Sequence, residues 1–261
     1  MKILFILLGV SLFIGLVWVL AALPIRKNDL PNPNEELIKL SSNLLYRIKM
    51  DEPTDSIQIA LSGYSLAALQ QGISNNKARK VFWINIYNAY YQIFATQGKN
   101  AEATIYTDKG IRFADITLSL DDIEHGILRK YRWKYSLGYL PQFFPAKTIK
   151  QLAVNDIDFR IHFALNCGAK SCPPIAFYSY ENLDAQLEIA AKFFLESETD
   201  IDNQMKVVHV TKIMQWFKGD FGGDEGIRKI LRKYFNKDFS SYKIVYKNYD
   251  WTTDLKNFSV E

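Results

Sequence analysis

The segment FRIHFALNCGAKSCPPI, residues 159–175, holds both cysteines of the chain and one of its three histidines. These residue types allow a zinc site, a disulfide, a nucleophilic thiol, or only a strand that ends in a tight loop. Apolar and polar residues alternate from Phe159 to Leu165, which predicts a strand with Arg160 and His162 on its polar face. We therefore expect Cys167 to follow directly after the end of a strand.

A zinc site would require His162, Cys167 and Cys172 to converge within about 2.0 to 2.3 Å of one metal ion. Five extended residues would place Cys167 up to about 16 Å from a histidine in the strand, so the chain would have to reverse at once. The C-x4-C spacing is also uncommon for zinc. The sequence therefore predicts neither a metal nor a cofactor.

A disulfide between Cys167 and Cys172 is a second interpretation, provided that the domain lies in an oxidising compartment. Gly168 and Pro173 would help the short loop to turn, and a short loop gives a modest gain in stability. A redox-exchange role is less favoured, because C-x4-C lacks the close C-x-x-C placement that tunes such thiols. The function that accompanies this interpretation is a non-enzymatic binding or scaffold module at the cell envelope.

The third interpretation makes Cys167 the nucleophile of a hydrolase or acyltransferase acting on an acyl or amide group. The small residues after it form a turn in which the amides of Gly168 and Ala169 could face an oxyanion. Asn166 adjoins the sulfur and is a further candidate donor. Such a thiol is weak near neutral pH until a neighbouring base lowers its pKa.

His125 is the best candidate for that base. The segment SLDDIEHGILRKY predicts a helix that Ser119 caps, with Asp122 three residues later as in a capping box. Asp121 and Asp122 precede His125 by four and three residues, so either carboxylate can share its face and orient the imidazole. His162 has the same reach problem as in the zinc site. A surface histidine that pairs with acids is the competing interpretation of His125.

The elements that must position these residues belong to a mixed fold. KARKVFWINIYNAYYQIFATQ, residues 77–97, is apolar or aromatic nearly all round, which predicts a central buried helix. Its Asn85 and Asn88 share one face, where they either tie neighbouring backbone or line a site. Short strands are predicted in TIYTDKGIRFADITL, about a turn at residues 108–110, and in KVVHV and YKIVYK. Helices and strands without a βαβ rhythm predict a single α+β domain.

An apolar segment precedes the domain. Ile3 to Ile25 contains no charged residue in 23 positions, and a helix of about 34 Å would cross a hydrocarbon core of about 30 Å. A retained transmembrane anchor is favoured over a cleaved signal peptide, for which Val19-Leu20-Ala21 fits a cleavage site. We predict an anchor or signal over residues 1–27, a linker over 28–35 and a globular domain over 36–256. The domain is expected on the exterior or periplasmic side, or secreted if the segment is cleaved.

The net charge of the chain indicates which classes of partner are expected. The formal net charge is +4, and three basic residues flank the N-terminal segment, so the remainder is nearly neutral. Nucleic-acid binding usually leaves a strong basic imbalance, and no nucleic-acid partner is expected. The expected partner is the membrane, through the N-terminal helix, while the sequence names neither a substrate nor a protein partner.

Four segments in order, KVFWINIYNAY, LSLDDIEHGILR, RIHFALNCGAKSCPP and YDW, resemble the hallmarks of the family known as domain of unknown function 547. The resemblance covers roughly Glu35 to Lys256 and indicates a membrane-anchored, bacterial-type member. The family has no established reaction, so the resemblance implies little about activity. This chain has Asp158-Phe159-Arg160 where members commonly have DPR, and YDWTTD where they have YDWSLN, which leaves a role of the terminal loop in doubt.

The family pattern implies a ranking of the two cysteines. Cys167 matches the pattern more faithfully, whereas plant-type members resemble this motif with serine at the position of Cys172. The resemblance therefore weakens the zinc and disulfide interpretations and favours Cys167 with His125 as a pair. Matching motif positions, or positions beside them, give the predicted binding or supporting residues: Trp83, Asn85, Asn88, Glu124, Arg160, His162, Gly168, Lys170 and Cys172.

Overall fold

The computed structural model describes residues 33–98 and 104–259, which belong to one compact unit. The predicted anchor at residues 1–27 lies outside the described residues and stays a prediction. Within the described ranges, no helix is both long enough and apolar enough to cross a bilayer. The helices are α1 (Glu35–Lys49), α2 (Asp55–Ser62), α3 (Leu66–Gly72), α4 (Asn76–Thr96), α5 (Lys147–Leu152), α6 (Leu183–Glu198), α7 (Ile213–Trp216) and α8 (Gly223–Phe235).

The strands are short and form two small sheets. A π-helix (Asp122–Leu128) and two 3-10 helices (Lys134–Ser136 and Phe159–Phe163) complete the regular structure of the described residues. The strands are β1 (Ile111–Arg112), β2 (Thr117–Leu118), β3 (Asp200–Asp202), β4 (Val207–Val210) and β5 (Lys243–Tyr246). The α+β class is confirmed.

Helix α4 is the central element, as its sequence predicts. The side chain of Asn75 caps it by accepting a hydrogen bond from the Ala78 amide at 2.9 Å. The helix is buried from Ala78 to Phe94 apart from Arg79, which is partly exposed, because apolar side chains surround its axis. Helix α1 packs along it.

The two sheets differ in topology. Strands β1 and β2 pair antiparallel, with Ile111 opposite Leu118. The turn between them is closed by the Phe113 amide, which donates to the Ile116 carbonyl at 2.9 Å. The predicted turn at residues 108–110 is therefore wrong: those residues precede β1. In the second sheet, β4 pairs antiparallel with β3 and parallel with β5.

The predicted strand from Phe159 to Leu165 is also wrong, because Phe159–Phe163 is a 3-10 helix. The Asp158 carboxylate accepts from the Arg160 amide at 3.2 Å and starts the helical turn. The alternation was misleading because Ile161, His162 and Phe163 are all buried while Phe159 and Arg160 are partly exposed, so exposure does not alternate along this segment. Because the segment is a compact turn, His162 is not held away from the cysteines as it would be in an extended strand.

Two hydrophobic clusters form the core. The first surrounds α4 and includes Leu165 with Cys167 at its edge. The second joins β4, α6 and α8, with Trp216 and Tyr249 packed against it. The candidate site lies where these clusters meet, because residues of both line one cavity.

Candidate functional site

A cavity of about 350 Å³ is lined by six of the fourteen residues that the sequence predicts for the site. His125, His162 and Cys167 line it, although 42 residues separate His125 from Cys167 in the chain. Cys172 lines it too. Folding therefore assembles the histidines and cysteines at one site, as the interpretation of a thiol with a histidine requires.

The two cysteines form a disulfide, so in this state neither is a thiol. The Tyr249 hydroxyl lies 3.2 Å from Cys167 Sγ and 3.0 Å from Cys172 Sγ. Because disulfide sulfurs carry no proton, the hydroxyl is the donor. Burial raises the pKa of Tyr249, which keeps this donor protonated.

Asn166 and Asn88 hold the loop that carries the disulfide. Asn166 donates from its amide to the Pro173 carbonyl at 2.8 Å and accepts from the Gly168 amide at 2.8 Å. Asn88 on α4 donates to the Ala164 carbonyl and accepts from the Asn166 backbone amide, each at 2.9 Å. The prediction that Asn166 and the Gly168 amide would face an oxyanion is therefore wrong for this state, because both donors already have partners inside the protein.

The C-terminal segment after Tyr249 clamps the same loop from outside. The Lys170 amide donates to the Thr252 carbonyl at 2.8 Å, and the Asp254 amide donates to the Gly168 carbonyl at 2.8 Å. These contacts use backbone atoms, so replacing the SLN of other family members by Thr252-Thr253-Asp254 leaves them possible. The YDWTTD segment thus has a structural role beside the cavity.

His125 lies on the π-helix, whose start was predicted well. The Ser119 hydroxyl accepts from the Asp122 amide at 3.1 Å, and the Asp122 carboxylate accepts from the Ser119 amide at 2.9 Å. This reciprocal pair confirms the capping box. The helix then widens, because the Arg129 amide donates to the Glu124 carbonyl five residues earlier. Such π-helical turns occur frequently at functional sites.

Arg129 determines the hydrogen-bonding state of His125. Its Nη1 lies 2.7 Å from His125 Nδ1, and a guanidinium can only donate, so Nδ1 accepts with its lone pair. Burial first, and then the charge of Arg129, lower the pKa of His125 to about 3. The imidazole is therefore neutral near pH 7, with its proton on Nε2.

This tautomer contradicts the predicted role of His125 as a general base. The Nδ1 lone pair is occupied by Arg129, and Nε2 carries a proton 3.6 Å from the Asp121 carboxylate. His125 can thus offer a hydrogen-bond donor to the cavity. Of the two predicted orienting carboxylates, Asp121 is near the imidazole and also pairs with Lys134 at 2.6 Å, whereas Asp122 serves as the helix cap.

A buried ionic cluster lies behind this histidine. Arg129 Nε and Asp220 Oδ2 are 2.5 Å apart with both side chains fully buried. His162 Nε2 lies 2.9 Å from the same carboxylate oxygen and its ring stacks on Phe217 at 4.1 Å. Burial opposes the charge of Asp220, but hydrogen bonds from His162 and Arg129 hold its pKa below the ordinary value. Burial lowers the pKa of His162 despite its bond to Asp220.

Glu124 is the second carboxylate of the cavity. It accepts a hydrogen bond from the Tyr87 hydroxyl at 2.9 Å. Burial, followed by the charge of Glu124, raises the pKa of Tyr87 well above its ordinary value, so the phenol remains a donor. This contact ties the π-helix to α4.

Aromatic side chains form one wall of the cavity. The ring of Tyr249 lies 4.7 Å from that of Trp216 and 4.7 Å from that of Trp251, centre to centre. Trp251 is largely exposed, whereas Trp216 is partly buried. These rings present apolar surface beside the disulfide.

Some predicted residues lie outside the cavity. Trp83 is a fully buried core residue, and Asn85 bonds the backbone of Tyr178 through both its oxygen and its nitrogen. Arg160 pairs with Asp158 at 2.7 Å and is not a lining residue. Lys170 is exposed. The interpretation in which the helix asparagines tie neighbouring backbone is the one the structure supports.

The metal interpretation has no ligand set here. The sulfurs of Cys167 and Cys172 are bonded to each other, and His162 Nε2 bonds Asp220. Across residues 33–98 and 104–259, no group of three or more His, Cys, Asp or Glu side chains converges as metal ligands would.

Several further residues that shape the site differ in how clearly their sequence positions indicate a role. Arg129 ends the LSLDDIEHGILR motif four residues after His125, a spacing that places both on one helical face. Trp251 belongs to the YDW motif. Asp220 and Trp216 have no comparable local signal, because their partners lie far away in the chain.

The fold and cavity define an α+β domain built around one buried helix, with a disulfide at the edge of a polar and aromatic cavity. A family model described as "Protein of unknown function, DUF547" matches residues 54–195, more than half of the 261 residues, and the chain belongs to this family. Comparison with curated proteins and with solved structures gives no match. The YDW motif at residues 249–251 lies beyond the matched range.

Proposed function

We propose that this domain is a binding module whose cavity holds a small, uncharged polar molecule with a flat apolar face. One observation carries the proposal: the disulfide, the aromatic wall and the polar groups of the π-helix line the same cavity. Concave sites that combine apolar walls with a few fixed polar groups are typical of small-molecule binding.

The charges of the site disfavour an anionic ligand. Asp121 pairs with Lys134 at 2.6 Å, and Arg129 pairs with Asp220 at 2.5 Å. An anionic ligand would have to break the first pair to gain a cation. Glu124 and the neutral His125 instead provide an acceptor and a donor for hydroxyl or amide groups.

The aromatic wall supplies the apolar contact. The faces of Trp216 and Trp251 can cover the flat side of a saccharide ring or an N-acyl group, and the burial of such a face is favourable. The disulfide and its hydrogen bond from Tyr249 keep the adjoining edge of this wall fixed, which lowers the entropic cost of binding.

Ligand-observed saturation-transfer NMR on the full chain, with a panel of uncharged saccharides and N-acylated amides, tests this function. We expect Trp216→Ala and His125→Ala each to weaken binding at least about tenfold, on the scale of one lost buried contact. Trp133→Ala, which removes an exposed tryptophan that does not line the cavity, should leave binding unchanged. Binding of no panel member, or equal affinities of all three variants, would contradict the proposal.

A second candidate is a cysteine-dependent hydrolase or acyltransferase, favoured by the placement of Cys167 and His125 on one cavity. A dithiol reductant would first give the disulfide two electrons and two protons and become oxidised itself. The freed Cys167 thiol would pass its proton to a carboxylate of the cavity, and the sulfur would attack the acyl carbon. The protonated carboxyl would return that proton to the leaving amine or alcohol as the acyl–nitrogen or acyl–oxygen bond breaks, and water or an acceptor nucleophile would then cleave the thioester and regenerate the thiol. His125 would donate its Nε2 hydrogen bond to the carbonyl oxygen, since its other nitrogen is occupied.

Thiol labelling separates the two candidates. After mild reduction, the enzyme candidate predicts that Cys167→Ala abolishes labelling by an acyl-type thiol probe while Cys172→Ser retains it. Equal labelling of both variants contradicts that candidate. Intact-mass measurement with and without reductant gives the fraction of chains that carry the disulfide.

The proposed location is the cell envelope, with the domain on the exterior or periplasmic side. Its support is the uncharged segment from Ile3 to Ile25 and the presence of a disulfide, which persists in oxidising compartments. Cell fractionation tests it: recovery of the unprocessed chain in the cytosol would contradict the location without affecting the cavity.

A further inference from the structure

A second surface of the domain has a distinct character. Residues 130–146, here called the aromatic loop, follow the π-helix and lead to α5. Half of the fourteen large apolar side chains that are exposed among the described residues lie in this loop. They are Trp133, Tyr135, Leu137, Tyr139, Leu140, Phe143 and Phe144. Phe144 is 97% exposed and Phe143 is 83% exposed, which is unusual for adjacent phenylalanines in a water-soluble surface.

The loop holds these side chains in a fixed arrangement. The Trp133 amide donates to the Leu140 carbonyl at 3.0 Å, and the Gln142 amide donates to the Tyr131 carbonyl at 2.7 Å. At its tip, the Leu137 carbonyl accepts from the Gly219 amide at 2.7 Å, which fastens the loop to the body of the domain. The exposure therefore belongs to a defined structure.

Maintaining this arrangement has an energetic cost. Lys130, Tyr131 and Leu137 have positive φ angles of 49°, 50° and 53°, a conformation that residues with a side chain rarely adopt. Strained backbone of this kind clusters at functional surfaces. A loop that is both strained and apolar on its outside is expected to have a partner.

The charged residues of the loop and of the helix that follows it are all basic, although Lys134 pairs with Asp121 and Arg132 Nε lies 3.9 Å from Asp220. No acidic residue occurs between Glu124 and Asp156. The basic side chains of this interval that are at least partly exposed are Lys130, Arg132, Lys134, Lys147 and Lys150. Lys147 and Lys150 lie on α5, beside the two phenylalanines in sequence.

We propose that the aromatic loop docks on the surface of an anionic lipid bilayer. Tryptophan, tyrosine and phenylalanine favour the boundary between head groups and acyl chains, and neighbouring lysines are attracted to anionic lipids. A protein partner fits less well, because the centres of protein interfaces are depleted of lysine. A symmetric contact with a second copy would bring the two basic sets together, where they repel.

Lys134 is the one residue of the aromatic loop that lines the cavity, and the loop lies outside the predicted anchor. A domain without the N-terminal segment would carry the same surface. The test must therefore report on the loop itself, because the apolar segment Ile3 to Ile25 in the full chain could bind vesicles alone.

The experiment places a polarity-sensitive fluorophore on the full chain at Gln142→Cys, with the native disulfide kept. A control carries the same fluorophore at Lys192→Cys, an exposed position on α6. Vesicles contain phosphatidylcholine alone or mixed with phosphatidylglycerol. We expect a blue shift at position 142 with the anionic vesicles only, and no shift at position 192.

Two further variants separate the apolar and ionic contributions. Phe143→Ser with Phe144→Ser should abolish the blue shift or weaken the vesicle affinity of the loop at least about tenfold. Lys147→Gln with Lys150→Gln should weaken it about fivefold for each charge removed, and added salt should do the same. All four positions are exposed, so the fold should survive, as near-ultraviolet circular dichroism can check.

Two results would overturn the proposal. The first is the absence of a blue shift from the fluorophore at position 142 while the chain is bound to anionic vesicles. The other is a blue shift in buffer that grows with protein concentration, because a second copy would then cover the loop.

Discussion

Arg129 links the two histidines of the cavity by hydrogen bonds, to His125 directly and to His162 through the carboxylate of Asp220. It donates to His125 Nδ1 at 2.7 Å and to Asp220, which also accepts from His162. A fully buried ion pair is expensive to desolvate and contributes stability only when its hydrogen bonds are satisfied. Burial, and then the charge of Arg129, keep His125 neutral, and the hydrogen bond from Arg129 to Nδ1 leaves the imidazole proton on Nε2.

Removing one member of this pair should destabilise the domain strongly. We expect Arg129→Met or Asp220→Leu alone to lower the free energy of unfolding by about 3 to 5 kcal/mol, because each leaves an uncompensated buried charge. The double variant should cost less than the sum of the two. Urea denaturation of the three variants measures this coupling, and additive losses would contradict it.

The histidines also predict how stability depends on pH. The pKa of His125 falls from 6.5 to about 3 on folding, so the unfolded chain binds a proton that the folded chain does not. Stability is therefore present above pH 6.5 and is lost as the pH falls towards 3. His162, whose pKa is also lowered, acts in the same direction.

We expect His125→Gln to reduce the slope of unfolding free energy against pH between roughly pH 4 and 6, by on the order of 1 kcal/mol per pH unit. Urea denaturation at a series of pH values gives both slopes. His209→Gln, which removes a histidine of β4 outside the cavity, is the matched control for the loss of an imidazole elsewhere in the fold. If the slopes of wild type and His125→Gln coincide, the buried neutral histidine is the wrong explanation.

At the level of elements, the local sequence determined most of what was predicted correctly. The apolar residues on all sides of α4 predict a buried helix, and Ser119 with Asp122 predicts the start of the π-helix. Both signals act between residues that are close in the sequence. The 3-10 helix at Phe159–Phe163 was predicted as a strand, since alternation reports the direction of side chains only when one face is in water. In this helix Ile161 and His162, which alternation assigns to opposite faces, are both buried.

The disulfide loop is an element fixed by close packing. Gly168 has a φ of +70°, and a Cβ there would lie 2.5 Å from Cε1 of Tyr91. Gly98 has a nearly identical φ of +71°, but no atom of the described part of the chain lies within 4 Å of its Cβ position. Substitutions at the two glycines therefore distinguish the cost of backbone strain from the cost of steric contact.

We expect Gly98→Ala to cost about 1 kcal/mol of unfolding free energy through backbone strain alone. Gly168→Ala should cost about 1 to 3 kcal/mol more, because Tyr91 or the loop must shift. Chemical denaturation of both variants supplies the comparison. Equal losses would mean that the loop adapts freely and does not depend on its contact with α4.

At the level of the whole molecule, the site could be predicted only in part. His125 and Cys167 were selected from motifs, and their meeting at one cavity agrees with that choice. Asp220 lies 91 residues after Arg129, and no local pattern marks it as a partner. The oxidation state of the cysteines was left open, because residue types permit both a thiol and a disulfide until the loop geometry is known.

The loop that the disulfide closes also contacts a distant part of the chain. The Lys170 amide of the loop and the Asp254 amide of the C-terminal segment each donate a backbone hydrogen bond across this contact. If the disulfide is structural, its reduction should lower the free energy of unfolding by ~2 kcal/mol, which is the contribution expected from the loop-closure entropy of a short loop. Hydrogen exchange of the Lys170 and Asp254 amides should accelerate on reduction, whereas amides of α4 should not. Unchanged exchange at both loop amides would show that the clamp holds without the covalent bond, and the reduced cysteines would then face the cavity in an intact site, as the thiol candidate requires.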